Sequence, residues 1–392
     1  MSTIKVNKIE NTSTTAGGIE VDTSGHVKID GQQLPTAGPL SNRNLIINGA
    51  MQFAQRGISA NNITSTSAYR TVDRYKQFIN TLGTWTVERH ASGPPGFDYS
   101  YRATCTSGNA SPASGSHVFI RYGVEKQDMQ RLAWATTEAK EFTLSFWVKS
   151  NRTGTASLTI LYSDGNLRGV TKTYTIDAAN TWEHKSLTFP ANGLSESSEG
   201  DNGVGFWIEW WLNSGSTFTG GSANTDWATL NDNQRNPTNF GLGSVDDQEF
   251  HLTGVQLEVG SKSTSFEHRS YSDELQRCMR YYETIEVYRP YGCGLAWSNT
   301  AAQCGIRFTE KRGDPNSVTL PAASPGSGAG GTSFLDKNAN YPSTFGSFGI
   351  DGFTENMFRV VQTGVVGFTA GTPALLWKDS TDTGYIRIDA EL

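Results

Sequence analysis

The segment VGFWIEWWLN, positions 204–213, holds the densest group of side chains with chemistry to offer. Val204, Phe206, Ile208, Trp210 and Leu212 alternate with Trp207, Glu209 and Trp211. A period of two is the pattern of a β-strand with one buried face. The odd positions then share the opposite face, with Trp207 and Trp211 roughly 13 Å apart and a carboxylate between them. A flat indole can meet the apolar C–H face of a sugar ring, and a carboxylate can accept hydrogen bonds from the ring hydroxyls. Asp226 and Trp227, in NTDWATL, repeat the combination in a long loop. Trp207, Glu209, Trp211, Asp226 and Trp227 are therefore the candidate glycan contacts. The competing expectation for such indoles is packing against a loop, a helix or another copy of the chain.

Hydrolysis of a glycoside generally needs two carboxyl groups about 5–9.5 Å apart. Glu209, Asp226 and Asp246 supply acids, but none stands in a recognisable catalytic phrase. There is no GxSxG, no HExxH and no phosphate loop, nor the repeat of a parallel β-helix. Binding without catalysis is the expectation, with polysaccharide cleavage or a purely structural role as alternatives. Asp246, Asp247 and Glu249 in DDQEF read as a solvated turn rather than a metal site, and no cofactor is expected. Cys105, Cys278, Cys293 and Cys304 form no CxxC pair, which argues against zinc. Cys293 and Cys304 could face each other across a hairpin turning at Ser298-Asn299; two small buried thiols are expected there. The net charge is −6 and no Lys/Arg run stands out, so nucleic acid is not an expected partner. No apolar run approaches the thickness of a bilayer, and MSTIKVNKIE lacks the apolar stretch of a signal peptide. Synthesis in the cytosol without membrane insertion is expected.

A chain of 392 residues should form two or three domains. Charged residues at only 18%, with 42 glycines and many Ser, Thr and Asn, favour a mainly β fold. FTLSFWVKS, ASLTILYS, TYTID and SLTFP read as strands beside VGFWIEWWLN. EFHLTGVQLEVG changes parity at Thr253-Gly254, which predicts a β-bulge. NLII (44–47) reads as the first strand of the same domain, Asn48-Gly49 as a tight turn, and AMQFAQRG as the start of the second strand. A jelly-roll-like β-sandwich of two sheets is predicted over 44–269. SYSDELQRCMRYYETI (270–285) predicts a helix with Leu275, Cys278, Met279 and Tyr282 on one stripe. Residues 286–392 read as a small C-terminal β domain with strands at YGCGLAW, CGIRFTEKR, SVTLP, NMFRVVQTG, ALLW and GYIRIDAEL. As a distal domain it is a candidate receptor-binding tip, with Tyr341, Phe345, Phe348, Phe353 and Trp377 as aromatic contacts, though such residues are more often core.

Residues 1–43 form a thin leader and linker. Ile19 and Val21 alternate with polar neighbours, as do Val27 and Ile29 across the turn cluster DTSG, and Ile4 and Val6 share the period. This is a β-hairpin with one narrow apolar face, too little to be stable alone in water. The same face from identical chains around a threefold axis would cover it; a disordered tail is the alternative. Residues 31–41, with Pro35 and Pro39, read as a stiffened linker.

At NLIINGAMQFAQRG (44–57), TVDRY (71–75), GVQLEVGSKSTSFEHRSYSDELQRCMRYYE (254–283) and the terminal IDAEL, the sequence resembles bacteriophage tail-fibre and receptor-binding proteins. That family often carries N-L-I-x-N-G-x-M-x-x-x-Q-R-G, then Q-L-E-x-G-x-x-x-T-x-F-E-x-R followed by E-L-x-x-C-x-R-Y-Y. Gln256, Leu257, Glu258, Gly260, Phe266, Glu267, Arg269, Glu274, Leu275, Cys278, Arg280, Tyr281 and Tyr282 match, and Thr264-Ser265 departs where the pattern has Ala-Thr. FTEKRGDPN is similar to an F-x-x-x-R-x-x-P phrase that follows the helix in such fibres. The resemblance implies a homotrimeric virion fibre with a carbohydrate-binding-like sandwich. It also implies attachment through the N-terminus to a tail adaptor, nozzle or baseplate protein. The host partner would be a surface polysaccharide or lipopolysaccharide, and assembly would take place in the host cytoplasm.

Overall fold

Alternation becomes strand through most of the described chain, and every pairing among the described strands is antiparallel. The computed structural model describes residues 8–10, 18–21, 27–29, 32–33, 41–162, 167–192, 201–287, 292–320, 331–335, 347–364, 367–379 and 384–392. Ile4, Val6, Pro35, Pro39, Tyr341 and Phe345 lie outside them. The chain divides into two units, Met1–Ser270 and Tyr271–Leu392.

In the leader, β1 (Lys8–Glu10), β2 (Gly18–Val21), β3 (Val27–Ile29) and β4 (Gln32–Gln33) form a small meander. The expected hairpin is β2–β3, with Ile19 opposite Ile29 and Val21 opposite Val27; β1 adds Ile9 opposite Ile19. The neighbouring row alternates in charge, Lys8 against Glu20 against Lys28, an arrangement that supports the pairing. Ile9, Ile19 and Val21 are exposed and Val27 is half-buried.

The rest of the first unit is one sheet. Its strands are β5 (Ser59–Tyr69), β6 (Tyr75–His90), β7 (Ser100–Ser107), β8 (His117–Glu125), β9 (Phe142–Ser150), β10 (Gly154–Tyr162), β11 (Arg168–Ile176), β12 (Glu183–Phe189), β13 (Val204–Ser214), β14 (Ala228–Thr229) and β15 (Glu249–Val259). They run in the order β12-β9-β15-β7-β6-β8-β13-β10-β11-β14, with β5 on β6. Instead of the two separate sheets expected of a jelly roll, a single sheet curls into two layers. The cause lies in β6. Its first part, Tyr75–Asn80, pairs with β8, and its last part, Thr84–His90, pairs with β7. Between them Thr81 and Gly83 take left-handed backbone angles, φ 48° and 73°. A Cβ on Gly83 would meet the Ser107 carbonyl oxygen at 2.6 Å, so glycine is needed for the corner. A strand that passes through a corner joins the layers without leaving an unpaired edge there.

The inward rows of the two layers form the core. Phe142, Leu144, Phe146 and Val148 of β9 are buried, as are Phe206, Ile208, Trp210 and Leu212 of β13. Across the layers the Phe142 and Phe206 rings stack at 5.7 Å, and Phe146 meets Trp210 edge-on at 6.0 Å. Each such side chain contributes roughly 1.5–3 kcal/mol by leaving water.

NLII is not a ladder strand. Leu45 N–H donates to the Leu257 carbonyl, but the Asn44 side chain replaces regular pairing. Its Oδ1 accepts from the backbone N–H of Ile46 and Leu257, and its Nδ2 donates to the Val255 carbonyl. Asn48, at φ 59°, then reverses the chain and holds Phe53 at both backbone groups. The apolar residues are buried as expected; an asparagine scaffold, not a strand, positions them.

The second unit begins with α1 (Tyr271–Met279), shorter than the span read from sequence. Its buried residues are Glu274 and Cys278, while Leu275 and Met279 are half-buried, and Tyr282 already belongs to a strand. Lys311 explains the early stop: its Nζ donates to the Met279 carbonyl at the helix end and to Glu283, each at 2.6 Å. β16 (Tyr282–Val287), β17 (Gly292–Ser298), β18 (Ala301–Arg307), β19 (Ser317–Thr319), β20 (Gly331–Leu335), β21 (Ser347–Thr354), β22 (Met357–Thr363), β23 (Thr372–Asp379) and β24 (Gly384–Asp389) make two sheets. Their orders are β16-β24-β19 and β20-β23-β17-β18-β22-β21. Phe334, Phe358, Val360, Leu376, Ile386 and Ile388 lie in one core. Arg312 donates to the Ala390 and Glu391 carbonyls and so fastens the IDAEL end. The β17–β18 hairpin forms with free thiols, but only Cys304 is buried; Cys293 is exposed because its strand alternates outward at that position. Phe353 is exposed, Trp377 is half-buried, and Phe348 lies on β21.

Candidate functional site

The odd positions of β13 do point away from the core, but they do not form an open platform. Glu209 and Trp211 are completely buried and Trp207 is half-buried. The loop after β13 folds over them, bringing Arg235 onto Glu209 and Phe218 onto Trp211. Glu209 accepts from Arg235 Nη2 and, through the neighbouring strand, from Arg121 Nε at 2.9 Å. It also accepts from the indole N–H of Trp211 at 3.1 Å. Burial alone would raise the Glu209 pKa; the pull of Arg235 and then Arg121 outweighs it and holds the carboxyl below its usual range. Trp227 is buried as well, its indole N–H donating to the Pro190 carbonyl, and Asp226 is exposed, accepting from the Trp227 backbone. The structure thus joins Trp207, Glu209 and Trp211 in one cluster and gives Asp226 and Trp227 separate partners.

Two of the acids at 246–249 have partners of their own. Asp246 accepts from Gly108 N–H, and Glu249 pairs with Arg102. Among the described residues no group of three or more His, Cys, Asp or Glu could hold a metal ion, and no helix is long and apolar enough to cross a membrane.

A concave site lies on the outer face of the other layer. It is a cleft of 630 Å³. Ser145 and Trp147 come from the outward row of β9, His184 faces Trp147 from β12, and Gly254 sits at the bulge of β15. The segments 95–97 and 263–268 supply the walls. Trp147 and His184 lie 5.2 Å apart, while Phe97, Phe266 and His268 pack mutually at 4.8–5.3 Å. The predicted bulge is present: pairing slips between Thr253 and Gln256, and Gly254 has φ 60°. A Cβ there would stand 2.8 Å from Trp147 Cδ1 and 2.9 Å from Phe97 Cζ, so only glycine lets the two rings close over the floor. Partial burial lowers the His184 pKa, so the imidazole is neutral at pH 7 and offers one donor and one acceptor. Ser145, Ser263, Thr264 and Ser265 add hydroxyls, and among the described residues no carboxylate lines the cleft.

The Q-L-E and F-E-x-R residues build one wall. Glu258 accepts from Thr264 N–H and from Gln256 Nε2, both at 2.8 Å, and from the Thr264 hydroxyl at 2.7 Å. Gln256 accepts from Glu267 N–H at 2.8 Å, and Glu267 accepts from Asn44 N–H at 2.9 Å. Arg269 donates to the Ile46 and Asn44 carbonyls. These bonds fix the loop that carries Phe266 and His268. Trp147 was missed by sequence reasoning, yet the parity argument applied to β13 would have found it: in FTLSFWVKS the core takes Phe142, Leu144, Phe146 and Val148, leaving Ser145, Trp147 and Lys149 outside.

Fold and site together define an antiparallel β-sandwich with an aromatic, hydroxyl-lined cleft on one outer face. No family model matches the sequence, and no curated protein matches it. Among solved structures it is similar to the enzymatically active domain of tailspike protein 4 of bacteriophage CBA120, at 14% identity and a TM-score of 0.29, covering 55% of this chain and 21% of that one. It is similar to a putative sugar binding protein from Bacteroides thetaiotaomicron, at 13% identity and a TM-score of 0.30, covering 56% and 100%. It is also similar to a family 11 carbohydrate-binding module of Clostridium thermocellum, at 10% identity and a TM-score of 0.27, covering 52% and 98%.

Proposed function

We propose that this chain is a non-catalytic glycan-binding protein of a phage fibre, a homotrimer fixed to the tail through its N-terminal leader. The cleft carries the binding half of this reading. Trp147 offers a half-buried indole for the apolar face of a sugar ring, and neutral imidazole and hydroxyl groups surround it for the ring's own hydroxyls. No carboxylate stands among the described lining residues, which favours binding over hydrolysis, a reaction that generally needs two. The fibre half is supported by the resemblance motifs at Asn44, Asn48, Gln256, Glu258, Glu267 and Arg269, whose side chains brace the same domain. Several copies of a weak site would suffice through avidity.

The test is retention of the purified protein on immobilised host surface polysaccharide. Trp147→Ala should weaken binding about tenfold or more, equivalent to roughly 1.4 kcal/mol, without shifting the melting temperature. Equal retention of the two proteins would remove the cleft from the binding account. Reducing ends should not accumulate when the protein is incubated with that polysaccharide; their release would replace binding with depolymerisation.

A further inference from the structure

The face that holds the cleft continues past it. On β9 the next outward residue after Trp147 is Lys149. β12 pairs Glu183 with Val148, and the same register carried one residue back sets Trp182 opposite Lys149. The Lys149 ammonium lies 5.3 Å from the centroid of the Trp182 ring. Trp182 also meets the His251 ring nearly at right angles, at 5.7 Å. His251 is buried and shares a hydrogen bond with the Ser100 hydroxyl, so it forms a fixed floor, and His90 packs against it at 5.4 Å. Trp182, Lys149 and His90 are half-buried, so each still reaches solvent. Trp147 and Trp182 stand one strand and two residues apart, which puts their Cα atoms roughly 8 Å from each other. A disaccharide can bridge that distance.

The charges on this stretch balance. One row across β9, β15, β7 and β6 reads Lys149, His251, Arg102 and Glu88. Arg102 lies between two acids, 2.7 Å from Glu88 and 3.6 Å from Glu249, and His90 shares a hydrogen bond with Glu88. Lys149 and Arg102 thus face Glu88 and Glu249, and the described lining of the cleft adds no Lys, Arg, Asp or Glu. Such a face has no excess charge with which to draw a polyanion. Its indole and its polar groups suit uncharged rings that carry hydroxyls. Among the described residues Lys149 makes no hydrogen bond or ion pair. Its contact with the indole is of a kind that is weak at exposed sites, weaker than a hydrogen bond from a charged donor. The ammonium can therefore turn from the indole to a ring hydroxyl, and in doing so uncover the indole.

We propose that Trp182 is a second sugar platform, and that the site takes an uncharged stretch of polysaccharide, one ring on Trp147 and another on Trp182, with Lys149 donating to a hydroxyl between them. The proposal rests on the reading of the cleft as a glycan site. The probe is host surface polysaccharide cut by partial acid hydrolysis into four-ring fragments, with neutral and acidic fragments separated by anion exchange. The full-length protein should bind the neutral fragments at least as tightly as the acidic ones, with an affinity that does not fall as salt rises. Trp182→Ala should lower that affinity about tenfold, Trp182→Tyr, which keeps a flat ring, less than threefold, and Lys149→Met about threefold, all with unchanged melting temperature. Wild-type affinity in Trp182→Ala overturns the proposal, as do equal losses in Trp182→Ala and Trp182→Tyr. Tighter binding of the acidic fragments, or a steep loss of affinity with salt, overturns it as well. Failure of the cleft reading looks different: Trp147→Ala is then silent on the same fragments, whereas a silent Trp182→Ala beside an impaired Trp147→Ala removes the second platform alone.

Discussion

A carboxylate enclosed between two guanidinium groups is stable only as an anion, and Glu209 is held in that state. Glu209→Gln would leave Arg121 and Arg235 facing each other without a counter-charge. The expected cost at pH 7 is about 3 kcal/mol, the low end for a broken buried pair, since both arginines still reach water. Because the folded pKa is depressed, the stabilisation is present above the unfolded value of about 4.3 and is lost as pH falls through the folded one. Chemical denaturation of the two proteins should therefore converge in strongly acidic solution, and a gap that stays constant with pH would contradict the ion-pair account. The position of Glu209 on an outward row was legible from alternation alone. Its burial was not, because the covering arginines come from other parts of the chain, 88 residues upstream for Arg121 and from a loop with no periodic signal for Arg235. The outward position of Trp147 was equally legible from alternation; what was not is its company, since Phe97, His184 and Phe266 come close to it only after folding.

Among the elements, the bulge in β15 links fold and site most directly. Gly254→Ala forces a left-handed backbone on a residue with a Cβ and drives that atom toward Trp147 and Phe97. A loss of roughly 1–3 kcal/mol in stability is expected, together with weaker binding to host polysaccharide as the floor rings part. A variant with native affinity would show that the bulge does not shape the cleft. The break in alternation at Thr253-Gly254 was visible in sequence because a bulge is a local event. So were β9, β13 and β15, whose patterns run unbroken on either side. Asn44–Ile47 misled for a physical reason: apolar side chains adjacent to a strand look alike whether backbone or asparagine side chain completes the hydrogen bonds. The helix was read too long because nothing in its own residues announces Lys311, which arrives from 32 positions beyond Met279.

For the whole molecule, the proposed trimer rests on the leader. Ile9 and Ile19 are 59% and 44% exposed, so a single chain leaves that row wet. If copies share it around a threefold axis, the full-length protein should sediment as a trimer at micromolar concentration, and Ile19→Lys should give monomers with the sandwich intact. Wild-type monomers would end the trimer proposal. The curling of one sheet into two layers was beyond sequence reading, since it depends on β6 serving both. It has a consequence for polymers. The cleft opens on an outer face, over β9 and β12. A sugar chain bound there, as proposed, would lie across the strands with both of its ends free, so the middle of a polymer would be held as readily as its terminus.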